Sequence, residues 1–200
     1  MTKQEITQFS KTEGGLFHEA ANYRTKLFLP LTLFLAKIGV KPDMLSFIGL
    51  LFMAGFWIYA KSNPFLALIF LAISTFFDGL DGPLARVLKK DPNKGAFTDI
   101  LCDHTRLAIV SISFIYHDLI NHTLGSIYLY IYTILLIFVV IRNKMGKKPK
   151  LVMRSKYFLY FVYTLYALFN IDFLNQSIII FTLLKIPSLV YSFFVIKKNL

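Results

Sequence analysis

The chain has 200 residues, is 56% hydrophobic with 21 Phe and 11 Tyr, and carries a formal net charge of +11. Its mean hydropathy of +0.59 lies well above that of a soluble globule, and a single Cys, Cys102, excludes an internal disulfide. Because the basic residues border apolar runs, the charge points to anionic lipid headgroups and a phosphate-bearing substrate, and away from nucleic acid.

The first residues, MTKQEITQFSKTEGG, lack the apolar stretch of a signal peptide. Residues 15–37 then mix Phe17, Leu27, Phe28, Leu29, Leu31, Leu33, Phe34 and Leu35 with Glu19, Arg24, Lys26 and Lys37, and Pro30 interrupts them. That pattern predicts a juxtamembrane amphipathic helix lying on the inner leaflet, with an incomplete or re-entrant span as the plainer alternative. Pro42 and Asp43 suit the first turn of the next helix, Pro by its fixed backbone and Asp by the helix dipole.

Six apolar segments follow, at 44–60, 64–87, 95–117, 123–142, 155–170 and 175–196. Each approaches the roughly 20 residues of a spanning helix, the first and fifth falling short. Lys61-Ser-Asn-Pro64, Lys89 to Lys94, Asp118 to His122, Arg142 to Pro149 and Asn170 to Asn175 supply the breaks. The predicted fold is therefore an all-α polytopic membrane protein with six transmembrane helices. An N-terminal cytosolic segment covers 1–41, and the membrane domain covers 42–200. With both termini inside, nearly every Lys and Arg outside the helices falls on the cytoplasmic side, Lys61 being the exception. This makes the chain an integral membrane protein with its active site on the cytoplasmic side, in the inner or plasma membrane if the cell is prokaryotic.

The chemistry concentrates between Asp78 and Asp103. Asp78 and Asp81 are three residues apart and Asp99 and Asp103 four apart, so each pair shares one helix face. A lone Asp in a membrane helix is often a packed ion-pair residue, but four at these intervals with Gly, Ala and Arg are not. Converging carboxylates suit hard divalent cations, Mg²⁺ or Mn²⁺, and two such ions would neutralise four charges. At about 100° per residue, Asp78, Asp81, Gly82, Ala85 and Arg86 occupy less than half the helix circumference. Gly82 and Ala85 leave room for a phosphorylated ligand beside the carboxylates, Arg86 can fork onto a phosphate, and Gly95 gives room on the next helix.

These residues resemble the CDP-alcohol phosphotransferase family, whose pattern is D-x2-D-G-x2-A-R, about eight residues, then G-x3-D-x3-D. Asp78, Asp81, Gly82, Ala85, Arg86, Gly95, Asp99 and Asp103 fill every fixed position. The six-helix layout and the helix before it also fit; one departure is Asp43, where many members have Asn. The resemblance implies a CDP-linked donor whose diphosphate sits on two metals. Asp78, Asp81 and Asp99 would be ligands, and Asp103 would bind the second metal and act as general base. Gly82, Ala85, Arg86 and Gly95 would line the CDP site. A small alcohol would attack, and CMP would leave. The resemblance also implies a homodimer.

The acceptor is less legible. Arg106, Arg142, Lys144, Arg154, Lys156 and Lys185 are the basic candidates for an acceptor phosphate, with Arg142, Lys144, Arg154 and Lys185 preferred. Such a pocket favours glycerol 3-phosphate or inositol phosphate. His18, His104, His117 and His122 have no metal-ligand spacing. Two other readings compete: a CDP-choline or CDP-ethanolamine enzyme with a diacylglycerol acceptor, and an intramembrane cation transporter. A transporter would need carboxylates spread across the membrane depth, whereas these cluster at one end.

Overall fold

The computed structural model describes residues 22–90, 92–147, 149 and 155–199, and all regular structure among them is helical. Residues 22–27 are helical and turn at Phe28 into α1, Leu29–Lys37. Then come α2 (Pro42–Tyr59), α3 (Pro64–Val87), α4 (Pro92–Tyr116), α5 (His122–Lys144), α6 (Lys156–Phe169) and α7 (Leu174–Asn199). The third helix matches its predicted bounds, and α4 begins three residues before the predicted 95. Residues 15–21 of the predicted juxtamembrane helix lie outside the described residues.

Local chemistry explains the helix ends. Pro42 and Pro64 sit in first turns, where a missing N–H costs nothing. The Asn63 and Asn121 side chains each accept a 3.1 Å bond from a first-turn N–H, of Leu66 and Leu124. Asn170 closes α6 in the left-handed conformation, φ 55°.

Among the described residues four helices, α2, α3, α5 and α7, are long and apolar enough to cross a membrane. Their exposed Leu51, Ile58, Phe65, Ile137, Leu183 and Phe194 suit a lipid surround. The other two predicted spans are weaker. Along its length α4 carries Asp99, Asp103 and Arg106. With 14 residues, α6 rises about 21 Å, against a hydrocarbon core of ~30 Å. Short α1 is not amphipathic: Leu29, Leu31, Leu33 and Phe34 are exposed, and Lys37 is its one charge. The polar character expected of this region resides in Arg24 and Lys26, both exposed in the preceding turn and a half.

The core has two parts. The larger, built around Met53, Phe56, Leu71, Phe114, Tyr163 and Ile178, fills the half of the bundle away from the carboxylates. Its centre holds an edge-on Phe56–Tyr163 pair with ring centroids 5.2 Å apart. The smaller joins Leu45, Leu80 and Leu84 to Phe28, Leu35 and Val40, docking α1 beside the last turns of α3. Between them α2 and α3 pack closely through Gly49, where a Cβ would stand 3.0 Å from the Ser74 carbonyl oxygen.

Candidate active site

The second half of α3 and the first half of α4 face each other near their connection, and the predicted carboxylates meet there. Asp78, Asp99 and Asp103 each present an oxygen within 4.8 Å of the others. Asp81 is placed differently. It turns toward α2, where buried Ser46 donates to its Oδ2. Asp43, one turn before Ser46, is exposed. Pro83 lies inside α3, so the Gly79 carbonyl loses its helical N–H donor close to this site.

Two buried cations face the acidic group. Arg106 is 1% exposed and lies one turn after Asp103. Its Nη1 is 2.9 Å from Asp78 Oδ1 and 3.1 Å from Asp103 Oδ1, while its Nε donates to Ser74 Oγ at 2.9 Å. The first residue of α6, Lys156, is equally enclosed. Its Nζ donates to Asp103 Oδ1 and lies 3.7 Å from Asp78 Oδ2. Neither charge pairing is a surface ornament: buried carboxylates in an apolar bundle must be matched by cations, and these two do it.

Open space borders this charge. A Cβ added at Gly79, Gly82 or Gly95 would meet nothing within 4 Å, so these glycines leave clearance beside the carboxylates. Ala85 is half-buried on the same face. Arg86 is exposed at the end of α3 and donates to Thr25 Oγ1 of the N-terminal helical segment.

The basic candidates scatter more. Arg142 is buried, donates to Ser192 Oγ at 2.9 Å and to the Lys147 carbonyl at 3.2 Å, and lies over the Tyr191 ring. It therefore ties α5 to α7. Lys144 is exposed at the end of α5. Lys185 is buried midway along α7 with Nζ 5.0 Å from the centre of the Tyr132 ring. His104 stacks on the same Tyr132 ring, the two planes 2° apart. Arg154 lies outside the described residues.

The sequence had marked Arg106 and Lys156 only as acceptor candidates; the fold turns both onto the carboxylates. Arg106 had a local signal, its i,i+3 spacing from Asp103, and Ser74 had another, its i−4 spacing from Asp78. Ser46 and Lys156 had none, lying 35 residues from Asp81 and 53 from Asp103.

Comparisons with known proteins bear on the family and the fold. Residues 40–193 match the family model for CDP-alcohol phosphatidyltransferase. An archaetidylinositol phosphate synthase of Pyrococcus horikoshii is 42% identical over 82 residues, which is 40% of this chain and 42% of that protein. An uncharacterized protein of Aquifex aeolicus is 36% identical over 84 residues, covering 40% and 42% of the two chains. The matched stretches thus span about two fifths of either relative. Among solved structures, Mycobacterium tuberculosis phosphatidylinositol phosphate synthase with CDP-DAG bound superposes with a TM-score of 0.69 at 16% identity, covering 84% of this chain and 92% of that one. Its apo form gives 0.65. The chain belongs to the CDP-alcohol phosphatidyltransferase family.

Proposed function

We propose that this family member transfers a phosphatidyl-type group from a CDP-lipid, CDP-diacylglycerol or an ether analogue, to inositol phosphate, releasing CMP. Glycerol 3-phosphate is the acceptor to set against it. The observation that carries the reading is the convergence of Asp78, Asp99 and Asp103 within 4.8 Å beside clear space at Gly82 and Gly95. The choice of inositol phosphate follows the names of the Pyrococcus and Mycobacterium relatives.

The donor set fits hard divalent cations: carboxylate oxygens only, no soft ligand, and charge in excess of the two resident cations. Asp78, Asp81, Asp99 and Asp103 would hold two Mg²⁺ or Mn²⁺ ions. When bound, these ions supply charge neutralisation for the diphosphate and for departing CMP. The protein's own residues do the rest. Gly82, Ala85, Arg86 and Gly95 receive the CDP moiety. The acceptor hydroxyl forms its bond to the phosphorus farther from cytidine, the P–O bond to CMP breaks with its electrons leaving on CMP, and Asp103 takes the hydroxyl proton. Positioning and charge carry most of the rate in such a transfer. Arg106, pinned by Ser74, holds Asp78 and Asp103 in place, and Ser46 does the same for Asp81. Arg142, Lys144, Arg154 and Lys185 would serve the acceptor phosphate.

In this reading α4 and α6 cross the bilayer with the four longer helices, giving six spans. The carboxylate end faces the cytoplasm, because Lys41, Arg86, Lys89, Lys90, Lys144 and Lys147 crowd the same helix ends. The protein works as a homodimer.

Gly82→Ala separates binding from folding. Its new methyl meets nothing within 4 Å beyond its chain neighbours, and the roughly 1 kcal/mol by which Ala favours a helix over Gly is offset by the neighbouring Pro83 ring, which disfavours the helical conformation for a preceding residue that carries a Cβ. The melting temperature should change little while the KM for the CDP-lipid climbs; an unchanged KM would remove Gly82 from the donor site. The acceptor is tested by supplying CDP-diacylglycerol, Mn²⁺ and one radiolabelled alcohol at a time. Label from inositol phosphate should pass into the lipid phase. Label from glycerol 3-phosphate instead would reassign the acceptor.

A further inference from the structure

The two cations in the site are not equivalent. Arg106 is locked: Ser74 takes its Nε at 2.9 Å, and Gly49 leaves just the space its Nη2 fills, 3.4 Å from where a Cβ would be. Its planar guanidinium sets Nη1 within 3.1 Å of one oxygen of Asp78 and one of Asp103 at once. Lys156 is held by less. It stands at the first residue of α6, its long flexible stem enters the site from a helix end, and its ammonium is a point charge. Beside it the half-exposed Tyr157 ring lies with its centre 4.7 Å from Nζ, a second seat for a cation.

The oxygens that Lys156 faces, Asp103 Oδ1 and Asp78 Oδ2, belong to residues that would hold metal. Four carboxylates set against Arg106 and Lys156 leave two negative charges, enough for one divalent ion. A second ion finds that charge already taken.

We infer that Lys156 is an internal cation that occupies the place of the second divalent ion and must withdraw from Asp78 and Asp103 for that ion to bind. This rests on the metal-dependent reading above. It makes Lys156 a positioning residue that sets how readily the site fills, and it orders the events: one ion binds first, then Lys156 leaves as the second arrives.

The test is Mn²⁺ binding to the full chain in detergent, followed by the electron paramagnetic resonance of free Mn²⁺, with no nucleotide or lipid substrate present. Wild type should bind one ion more tightly than the other. Lys156→Met should tighten the weaker site about tenfold or more, the scale of removing a unit charge a few ångströms away. Lys156→Gln should do the same, which guards against a Met variant that fails to fold. Lys156→Arg should bind the second ion no more tightly than wild type. The exposed Lys90→Met, with the same change in net charge, should leave both affinities alone. An unchanged or weakened second site in Lys156→Met and Lys156→Gln overturns the inference while leaving the metal reading intact. No Mn²⁺ bound by any of these proteins overturns the metal reading and the inference with it.

Discussion

Replacing Asp103 by Asn should cut turnover roughly 10³-fold or more while leaving the protein folded. Asp103 does three things in this account. It offers an oxygen to the group that Asp78 and Asp99 complete. It anchors Arg106 and Lys156. It receives the proton of the attacking hydroxyl. Asn preserves shape and still accepts hydrogen bonds from both cations, so the buried network loses one charge but no packing. What it cannot do is take up a proton or balance a divalent cation as a carboxylate does. CMP formation gives the rate, and the melting temperature with the elution profile in detergent gives the fold. Substantial residual turnover in a well-folded Asp103→Asn protein would remove Asp103 from the chemistry.

The second large effect is on stability. Arg106→Leu should cost about 3–5 kcal/mol, the usual cost of breaking a buried charge pair from one side. The substitution strands Asp78 and Asp103 among apolar helices with Lys156 alone to match them, and it releases Ser74. Leu fills part of the volume but none of the charge. Arg106→Lys should recover only part of the loss, since an ammonium cannot reach Ser74, Asp78 and Asp103 together as the forked guanidinium does. Thermal unfolding in detergent measures both. A melting temperature equal to wild type in Arg106→Leu would mean that the observed contacts carry no weight.

The helices were legible because their signals are local. Apolar runs are bounded by Pro42, Pro64, Asn63, Asn121 and Asn170, and each of those residues acts at a helix end by its own backbone or side-chain chemistry. The carboxylate pairs were legible for the same reason: spacings of three and four residues place Asp78 with Asp81, and Asp99 with Asp103, before any tertiary contact is known. What spacing cannot say is which member of each pair joins across the interface. The expectation of four convergent acids meets a structure in which Asp78, Asp99 and Asp103 draw together and Asp81 turns to Ser46. That choice depends on where α2 lies, which no feature of α3 encodes. Lys156 was hidden in the same way. In the sequence it is one more basic residue near a helix start, as positive-inside topology would place it. Only the packing of α6 on α3 brings it to the carboxylates. Arg142 shows the converse: a basic residue at a promising position whose hydrogen bonds go to Ser192 and to the backbone of its own turn.

The span count marks another limit. The length and apolarity of α2, α3, α5 and α7 suffice by themselves to call them crossing helices. Those of α4 and α6 do not, because α4 spends its first half on charged site residues and α6 has only 14 residues. A helix that carries the chemistry has fewer positions left to be apolar, so hydropathy is weakest where the function is densest.

The most direct test of the whole account is CMP formation by the purified protein given CDP-diacylglycerol, Mn²⁺ and inositol phosphate. The account predicts CMP from wild type only when acceptor and divalent cation are both present, no CMP once EDTA is added, and next to none from Asp103→Asn. Folded wild-type protein that binds Mn²⁺ yet forms no CMP with inositol phosphate or any other alcohol would contradict it.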